Sequence, residues 1–257
     1  LIEQWDNKNN ELQKDIEAVK ELAKKINEGH IVALKGMGGF HIVCDASNDK
    51  AVEELRIRKN RPTKPFAVMF KDIEQVKVNA NLTLKEEEVI TSKEKPITLV
   101  ESIDASLSSK IAPSIDRIGC FIAYTPLHVL LFKYLDNPIV ATSANLSNEP
   151  IVIYKDELIQ KLGNIVDYVL DFDRDIINAC DDSVVQVVND ELFVLRNARG
   201  YAPSSLKLKE KSDKKILSLG ANQKSTIALA FEDTLILSPH IGDLGSIISI
   251  EYFTRTI

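Results

Sequence analysis

The feature that most restricts what this chain can fold into is a proline-bracketed cationic junction, Arg56-Ile57-Arg58-Lys59-Asn60-Arg61-Pro62-Thr63-Lys64-Pro65. It holds five cations (Arg56, Arg58, Lys59, Arg61 and Lys64) and no acid. The residues before it, Asp49 to Leu55, predict a helix with Ala51, Val52 and Leu55 on its inner side. Pro62 is expected to end that helix, because proline has no N–H to donate and its ring clashes with the preceding turn. Pro65 then fixes the entry into Phe66-Ala67-Val68-Met69-Phe70, an apolar run that predicts a buried strand. Lysines and arginines on a rigid helix-to-strand connection suit a polyphosphate, and arginine adds a bidentate fork. The same charges also suit a solvated helix end beside the negative pole of the helix dipole.

Composition narrows the choice of partner. The net charge of −6 argues against a general nucleic-acid or anionic-membrane binder, while leaving room for a local basic pocket. No apolar run approaches the roughly 18–20 residues of a membrane span, and no signal peptide is visible. Cys44, Cys120 and Cys180 lie far apart without a CxxC pair, so no structural zinc is expected within this chain. An odd cysteine count without a secretion signal fits a reducing cytoplasm.

The 257 residues admit one large domain or two modest ones. Residues 1–14 are polar and look like a leader or inter-domain segment; they carry Trp5. A helix from Asp15 places Ile16, Val19, Leu22, Ala23 and Ile26 on one face. Strands at Ile31–Leu34 and Ile42–Ala46 flank Lys35-Gly36-Met37-Gly38-Gly39-Phe40-His41. Its glycines would let the backbone approach a ligand and present N–H groups, although a tight connection uses glycines equally well. It is not a P-loop, since no Gly-Lys-Ser/Thr opens a helix. Asp72 to Thr91 reads as helical, then strands follow at Pro96–Val100 and Ile118–Tyr124. Thr125 caps a helix with Pro126 at its first position. A strand at Pro138–Thr142 runs into Ser143-Ala144-Asn145, placing hydroxyl and amide groups at a strand end, where α/β sheets bind ligands. Lys155 to Leu170 reads as a helix, and Val184–Val188 with Leu192–Leu195 as a hairpin across Asn189-Asp190. Asp181-Asp182 is a weak metal signal for which a solvated loop is the commoner explanation. Residues 207–214 read as a charged linker, and residues 215–257 as the start of a second unit, too short to bury a core alone.

Taken together, Lys59-x-Arg61-Pro62 with Lys64-Pro65, then Ser143-Ala144-Asn145, Ser183, Arg196 and Arg199-Gly200 resemble the YrdC family in order. The spellings Gly38-Gly39-Phe40-His41, Thr125-Pro126-Leu127-His128, Asp181-Asp182-Ser183-Val184 and Arg196-Asn197-Ala198-Arg199-Gly200-Tyr201-Ala202-Pro203 resemble its HypF branch, the carbamoyltransferases of [NiFe]-hydrogenase maturation. Leu219-Gly220-Ala221-Asn222-Gln223-Lys224-Ser225-Thr226 and Ser238-Pro239-His240-Ile241-Gly242-Asp243-Leu244 resemble the opening of that branch's TsaD-like domain. Phe172, where a histidine is expected, and Asn197, where a basic residue is common, depart from the pattern.

The resemblance implies an α/β (α+β) fold. A YrdC-like nucleotide-binding domain over residues 15–206 would carry a twisted, largely parallel or mixed sheet with helices on both faces. Residues 215–257 would be the first strands of an actin/Hsp70-type ATPase domain, the whole being an internal fragment. It implies that carbamate, derived from carbamoyl phosphate, attacks the α-phosphate of ATP in the presence of Mg2+. The carbamoyl group of the resulting adenylate would go to the C-terminal cysteine of the partner HypE. Zinc would belong only to family domains outside this chain. By the same resemblance Lys59 and Arg61 would be catalytic. Lys64, Thr142, Ser143, Asn145, Ser183, Arg196 and Arg199 would join them around the nucleotide and phosphates. Gly38, Gly39 and His41 would line the carbamoyl end. The alternatives are a threonylcarbamoyl-adenylate synthase for tRNA modification, an RNA-binding module of the same fold, and a fragment inactive by itself.

Overall fold

The computed structural model describes residues 2–103 and 106–257. The segment read as a leader or inter-domain piece carries strands that join the main sheet. They form a hairpin of β1 (Ile2–Asp6) and β2 (Glu11–Lys14), and β1 pairs antiparallel with β10 (Tyr168–Phe172). Helix α1 (Asp15–Asn27) follows, burying Ala18, Val19, Leu22, Ala23 and Ile26. The burial of Val19, Leu22 and Ile26 contributes roughly 1.5–3 kcal/mol each.

Strands β3 (Val32–Lys35) and β4 (Phe40–Asp45) form an antiparallel pair. Helix α2 (Asp49–Arg58) is capped by the Asn48 side chain, which accepts from the N–H groups of Lys50 and Ala51. It leads through the cationic junction into β5 (Ala67–Phe70). The stretch read as one helix over 72–91 is broken: α3 (Ile73–Asn79) and α4 (Leu84–Thr91) flank the two-residue β6 (Ala80–Asn81). Thr83 caps α4 in a reciprocal box with Glu86, which explains the restart. Then come β7 (Ile97–Ser102), β8 (Arg117–Ile122), α5 (Pro126–Leu131) capped by Thr125, and β9 (Ile139–Ser143). The helix expected through Leu170 stops early: α6 spans Lys155–Leu162, and Val169 and Leu170 belong to β10. A central strand reads as a continuous apolar run, so it is easily mistaken for a buried helical segment.

The hairpin β11 (Val184–Val188) and β12 (Glu191–Arg196) completes the main sheet. Among the described residues twelve strands join it, in the order β12-β11-β7-β8-β5-β9-β4-β3-β10-β1-β2, with β6 against β7. The sheet is mixed. Parallel pairs occur at β10–β3, β11–β7 and β5–β8, and the other pairs are antiparallel, so of the expected "largely parallel or mixed" sheet the mixed form is the one observed. Alternation along strands sends side chains to two cores. Ile31, Ala33, Ile42, Cys44, Val68 and Phe70 pack with α2 and α6; Val32, Leu34, Val43 and Met69 pack with α1 and α5 on the opposite face.

The segment read as a charged linker is strand. β13 (Ser204–Leu219) pairs with β14 (Ile227–Leu237), and α7 (Ile247–Thr256) ends the chain. β14 is continuous through Glu232-Asp233. Hydrogen bonds join this unit to the main sheet domain, among them one from Asn197 Nδ2 to the Ser238 oxygen at 3.3 Å. His240 N–H donates to the Asn197 oxygen at 2.7 Å, Ser246 Oγ to the Asn148 oxygen at 3.1 Å, and the Tyr252 hydroxyl to the Ala179 oxygen at 2.6 Å. None of the described helices is long and apolar enough to cross a membrane.

Candidate nucleotide site

The cationic junction is held by its own first residue. Helix α2 ends not at Pro62 but at Arg58, with Lys59 as its C-cap and Asn60 following at φ 47°. Asn60 N–H donates to the Ile57 oxygen at 3.1 Å and Arg61 N–H to the Arg56 oxygen at 2.9 Å, the paired pattern of a Schellman stop. The buried Arg56 guanidinium then donates to the oxygens of Lys110 at 2.6 Å, Ile111 at 3.1 Å, Arg61 at 2.7 Å, Lys64 at 3.2 Å and Pro62 at 3.3 Å. It also stacks 4.6 Å from the Phe66 ring centre. Arg56 is thus a structural cation that sets the loop's shape, leaving Lys59, Arg61 and Lys64 to face outward.

Those three line a cavity of about 760 Å3. Its walls include Ser143, Asn145 and the 146–150 loop after β9, Lys161 of α6, Asp181, Val184, Leu195 and Arg196. Lys59 Nζ donates to the Ser143 oxygen at 2.8 Å and to the Asn145 oxygen at 3.2 Å. Ser143 Oγ donates to Asn145 Oδ1 at 2.9 Å, and Asn145 Nδ2 to the Glu149 oxygen at 2.9 Å. Arg61 Nη1 lies 3.4 Å from Thr142 Oγ1, and its Nε donates to the Lys64 oxygen at 3.1 Å. Burial, with Arg61 and Lys64 adding repulsion, lowers the Lys59 ammonium to about 8. Burial, with Arg56 and Arg196 beside it, lowers Arg61 to about 10, and Lys64 is lowered by burial, Arg61 and Arg196. Cations held close together against their own repulsion form a pocket that a polyanion would stabilise.

A second compartment of about 280 Å3 opens beside the first. It shares Arg61, Lys64, Ser143, Asp181, Val184 and Arg196 with the large cavity and adds His41, Thr142, Asp182 and an apolar floor of Phe66, Ile97, Leu99 and Ile151. His41 enters because β4 pairs with β9 in a register that sets His41 opposite Ser143. Its Nε2 lies 3.0 Å from Asp182 Oδ2. Arg199 Nε donates to Asp182 Oδ1 at 2.5 Å, while its Nη1 and Nη2 donate to the oxygens of Glu94 and Lys95, each at 2.9 Å. Burial pushes the Asp182 carboxyl up, but His41 and Arg199 outweigh it and hold the group below the usual carboxylate range.

The residues singled out in the sequence divide. Lys59, Arg61, Lys64, Thr142, Ser143, Asn145, Arg196 and His41 line one or both compartments. Ser183, Arg199, Gly38 and Gly39 do not. Ser183 Oγ is buried and accepts from Ala198 N–H at 2.8 Å. Arg199 stands behind Asp182, with its guanidinium 3.6 Å from the Tyr124 ring centre. A Cβ on Gly38 would lie 2.1 Å from the Cys180 oxygen, and one on Gly39 2.5 Å from Ile151 Cγ1. These glycines admit neighbouring protein, not a ligand. Sequence reasoning missed Asp182 as the partner of His41, and missed Lys224, His240 and Asp243, which the second unit contributes to the large cavity. Asp243 Oδ1 accepts from Lys224 N–H at 2.7 Å, so the two loops form one wall. Among the described residues no cluster of three or more His, Cys, Asp or Glu side chains gathers as a metal site.

With this geometry in hand, comparisons with known proteins are informative. Residues 24–198 match the Sua5–YciO–YrdC family, described under telomere recombination, and residues 211–257 match the HypF Kae1-like domain. Carbamoyltransferase HypF of Synechocystis sp. is 40% identical over 254 residues, covering 98% of this chain and 33% of the relative. A crystal structure of full-length HypF in its phosphate- and nucleotide-bound form superposes with a TM-score of 0.94 at 38% identity, covering 100% of this chain and 33% of that one. The threonylcarbamoyl-AMP synthase of Vibrio cholerae is 24% identical over 161 residues, 61% of this chain and 86% of that protein. The chain therefore spans about a third of the length of the HypF proteins it matches.

Proposed function

This chain belongs to the Sua5–YciO–YrdC family, and on that premise we propose that it is the adenylate-forming part of a HypF-type carbamoyltransferase. The observation that carries the reading is the meeting of Lys59 with the Ser143–Asn145 corner, flanked by Arg61, Lys64 and Arg196 on one cavity wall. The phosphates of ATP lie against these cations, with Ser143 and Asn145 hydrogen-bonding the α-phosphate or the ribose. A carbamate oxygen attacks the α-phosphorus. One P–O bond forms as the bond bridging the α- and β-phosphorus breaks, and pyrophosphate leaves with the electron pair. Charge accumulates on the equatorial and leaving oxygens, so fixed cations and positioning do the chemistry and no side-chain nucleophile is needed. Lys59 and Arg61 are the catalytic pair in this reading. His41 faces the acceptor's end.

ATP implies Mg2+. Asp181 and Asp243 on the cavity wall fit an ion held by one or two carboxylates and the substrate's own phosphates, where it would neutralise phosphate charge. Transfer of the carbamoyl group to the C-terminal cysteine of HypE, supply of carbamate from carbamoyl phosphate, and a cytoplasmic setting belong to the same proposal, through the whole HypF-type protein.

The test is carbamate-dependent exchange of labelled pyrophosphate into ATP. The wild-type chain exchanges, and Lys59→Ala with Arg61→Ala loses the rate by about 100-fold or more, the scale of removing a fixed stabilising donor. Exchange at the wild-type rate in the variant would overturn the assignment. A second reading draws on the 280 Å3 compartment and its floor of Ile97, Leu99 and Ile151, roomy enough for a larger acceptor. That reading is threonylcarbamoyl-adenylate synthesis, and exchange that required threonine with bicarbonate instead of carbamate would favour it.

A further inference from the structure

The second unit brings to the large cavity a side chain that no other group holds. His240 lines that cavity beside Gly242, where a Cβ would lie 3.8 Å from its Nε2. The ring is partly buried, and among the described residues its nitrogens make no hydrogen bond. The nitrogens of His128 are also unpartnered, but they are sealed in the core, and those of His240 are not. Around the ring stand Arg196, Lys224, Asp181 and Asp243. Arg196 also acts on Arg61 and Lys64, and Asp243 on Lys64, so the loop carrying His240 faces the cationic junction.

Asn197 holds that loop in place. The residues on either side of Asn197 are pinned to the main sheet domain: Arg196 pairs with Val184, and Ala198 N–H donates to Ser183 Oγ at 2.8 Å. From this fixed point the main-chain oxygen of Asn197 accepts the His240 N–H at 2.7 Å. Its side chain spans the end of the β13–β14 pair, where Oδ1 accepts from Ser204 Oγ at 2.9 Å and Nδ2 donates to the Ser238 oxygen at 3.3 Å. Asn197 thus grips both ends of Ser238-Pro239-His240. A lysine or arginine in its place could donate to Ser238 but could not accept from Ser204.

We propose that His240 is a phosphate contact of the nucleotide site, supplied by the second unit and seated by Asn197 as its positioning residue. This rests on the nucleotide reading above. Imidazole carries an N–H in either neutral tautomer, so the ring donates to a phosphate oxygen without needing a charge. Phosphates laid on Lys59, Arg61, Lys64 and Arg196 then meet His240 from the second unit's wall. The nucleotide is held by both units, and the contact serves its phosphates and not its adenosine.

Calorimetric titration of the chain with ATP–Mg2+ and with adenosine tests this. His240→Phe keeps a ring and removes the donor: ATP binds about tenfold more weakly or worse, and adenosine binds as it does to the wild type. His240→Gln restores a donor and recovers part of the loss. Asn197→Ala weakens ATP about threefold. The double variant with His240→Phe is no weaker than His240→Phe alone, because Asn197 acts through the ring. Tyr252→Phe removes the remote bond to Ala179 and leaves ATP affinity unchanged, whereas a purely structural seam would make it resemble Asn197→Ala. In the wild type the 15N signal of the His240 ring, identified by its absence in His240→Gln, moves with ATP and not with adenosine. An ATP affinity indifferent to His240→Phe, an equal loss for adenosine, or a ring signal unmoved by ATP would overturn the proposal. Additive effects of Asn197→Ala and His240→Phe would overturn the positioning role. A wild type that binds no ATP overturns this assignment together with the proposed function. ATP binding that depends on His240, without carbamate-dependent exchange, counts against adenylation alone.

Discussion

Lys59 caps the C-terminus of α2 and donates from Nζ to the main-chain oxygen of Ser143 at 2.8 Å, closing a separation of 84 residues. That one contact joins the cationic junction to the end of β9. It also leaves the ammonium half-desolvated among other cations, which is why its pKa is lowered to about 8.

The lowered value has a consequence for pH. The folded ammonium has a pKa below its unfolded value of 10.5, so between about pH 8 and that value the unfolded chain binds more protons. The empty protein therefore gains stability from this group as pH rises through that window. Phosphate binding acts in reverse, because it favours the charged amine. ATP affinity should fall as pH rises above about 8, and the proton uptake on binding should grow from about half a proton near pH 8 toward one near pH 9. Calorimetry in buffers of different ionisation enthalpy reads that uptake directly, and Lys59→Met should abolish it.

Asn145 offers a substitution with opposed effects. Its side-chain oxygen accepts from Ser143 Oγ at 2.9 Å and lies 3.4 Å from Lys59 Nζ. Asn145→Asp would place a carboxylate beside the uncompensated cations. The empty chain should melt at a higher temperature, while ATP, now facing a like charge, should bind about tenfold more weakly or worse. Thermal melts and a binding isotherm on the same sample check both signs.

Arg56 should behave unlike its neighbours. Its guanidinium donates to five main-chain oxygens of the junction and the 110–111 turn. Arg56→Ala leaves those acceptors without a donor and should cost about 3 kcal/mol or more in urea unfolding. Arg56→Lys should recover less than half, because one ammonium cannot reproduce the planar fork. Arg61→Ala, by contrast, should lose nucleotide binding with a much smaller loss of stability.

Most of the site was legible because its residues sit at element ends that local sequence marks strongly. Pro62 and Pro65 flag the junction, and the run from Pro138 to Asn145 flags a strand end loaded with hydroxyl and amide groups. What the sequence could not distinguish was which cation faces inward: Arg56 and Lys59 are three residues apart in one charged run, and only the Schellman turn at Asn60 separates their roles. Gly38 and Gly39 illustrate a related limit. Close approach was read correctly, but the approaching groups are Cys180 and Ile151. His41 and Asp182 are 141 residues apart, and their pairing follows from a sheet order that no local pattern carries. The helix expected to run to Leu170 failed because an inner strand and a buried helix share the same apolar run over a few residues.

The most direct test of the central claim is a crystal structure of this chain with a non-hydrolysable ATP analogue and magnesium. The account predicts phosphate oxygens within hydrogen-bonding distance of Lys59 and Arg61, with the α-phosphate or ribose beside Ser143 and Asn145. A nucleotide seated elsewhere, with Lys59 still bound only to the Ser143 and Asn145 oxygens, would contradict it.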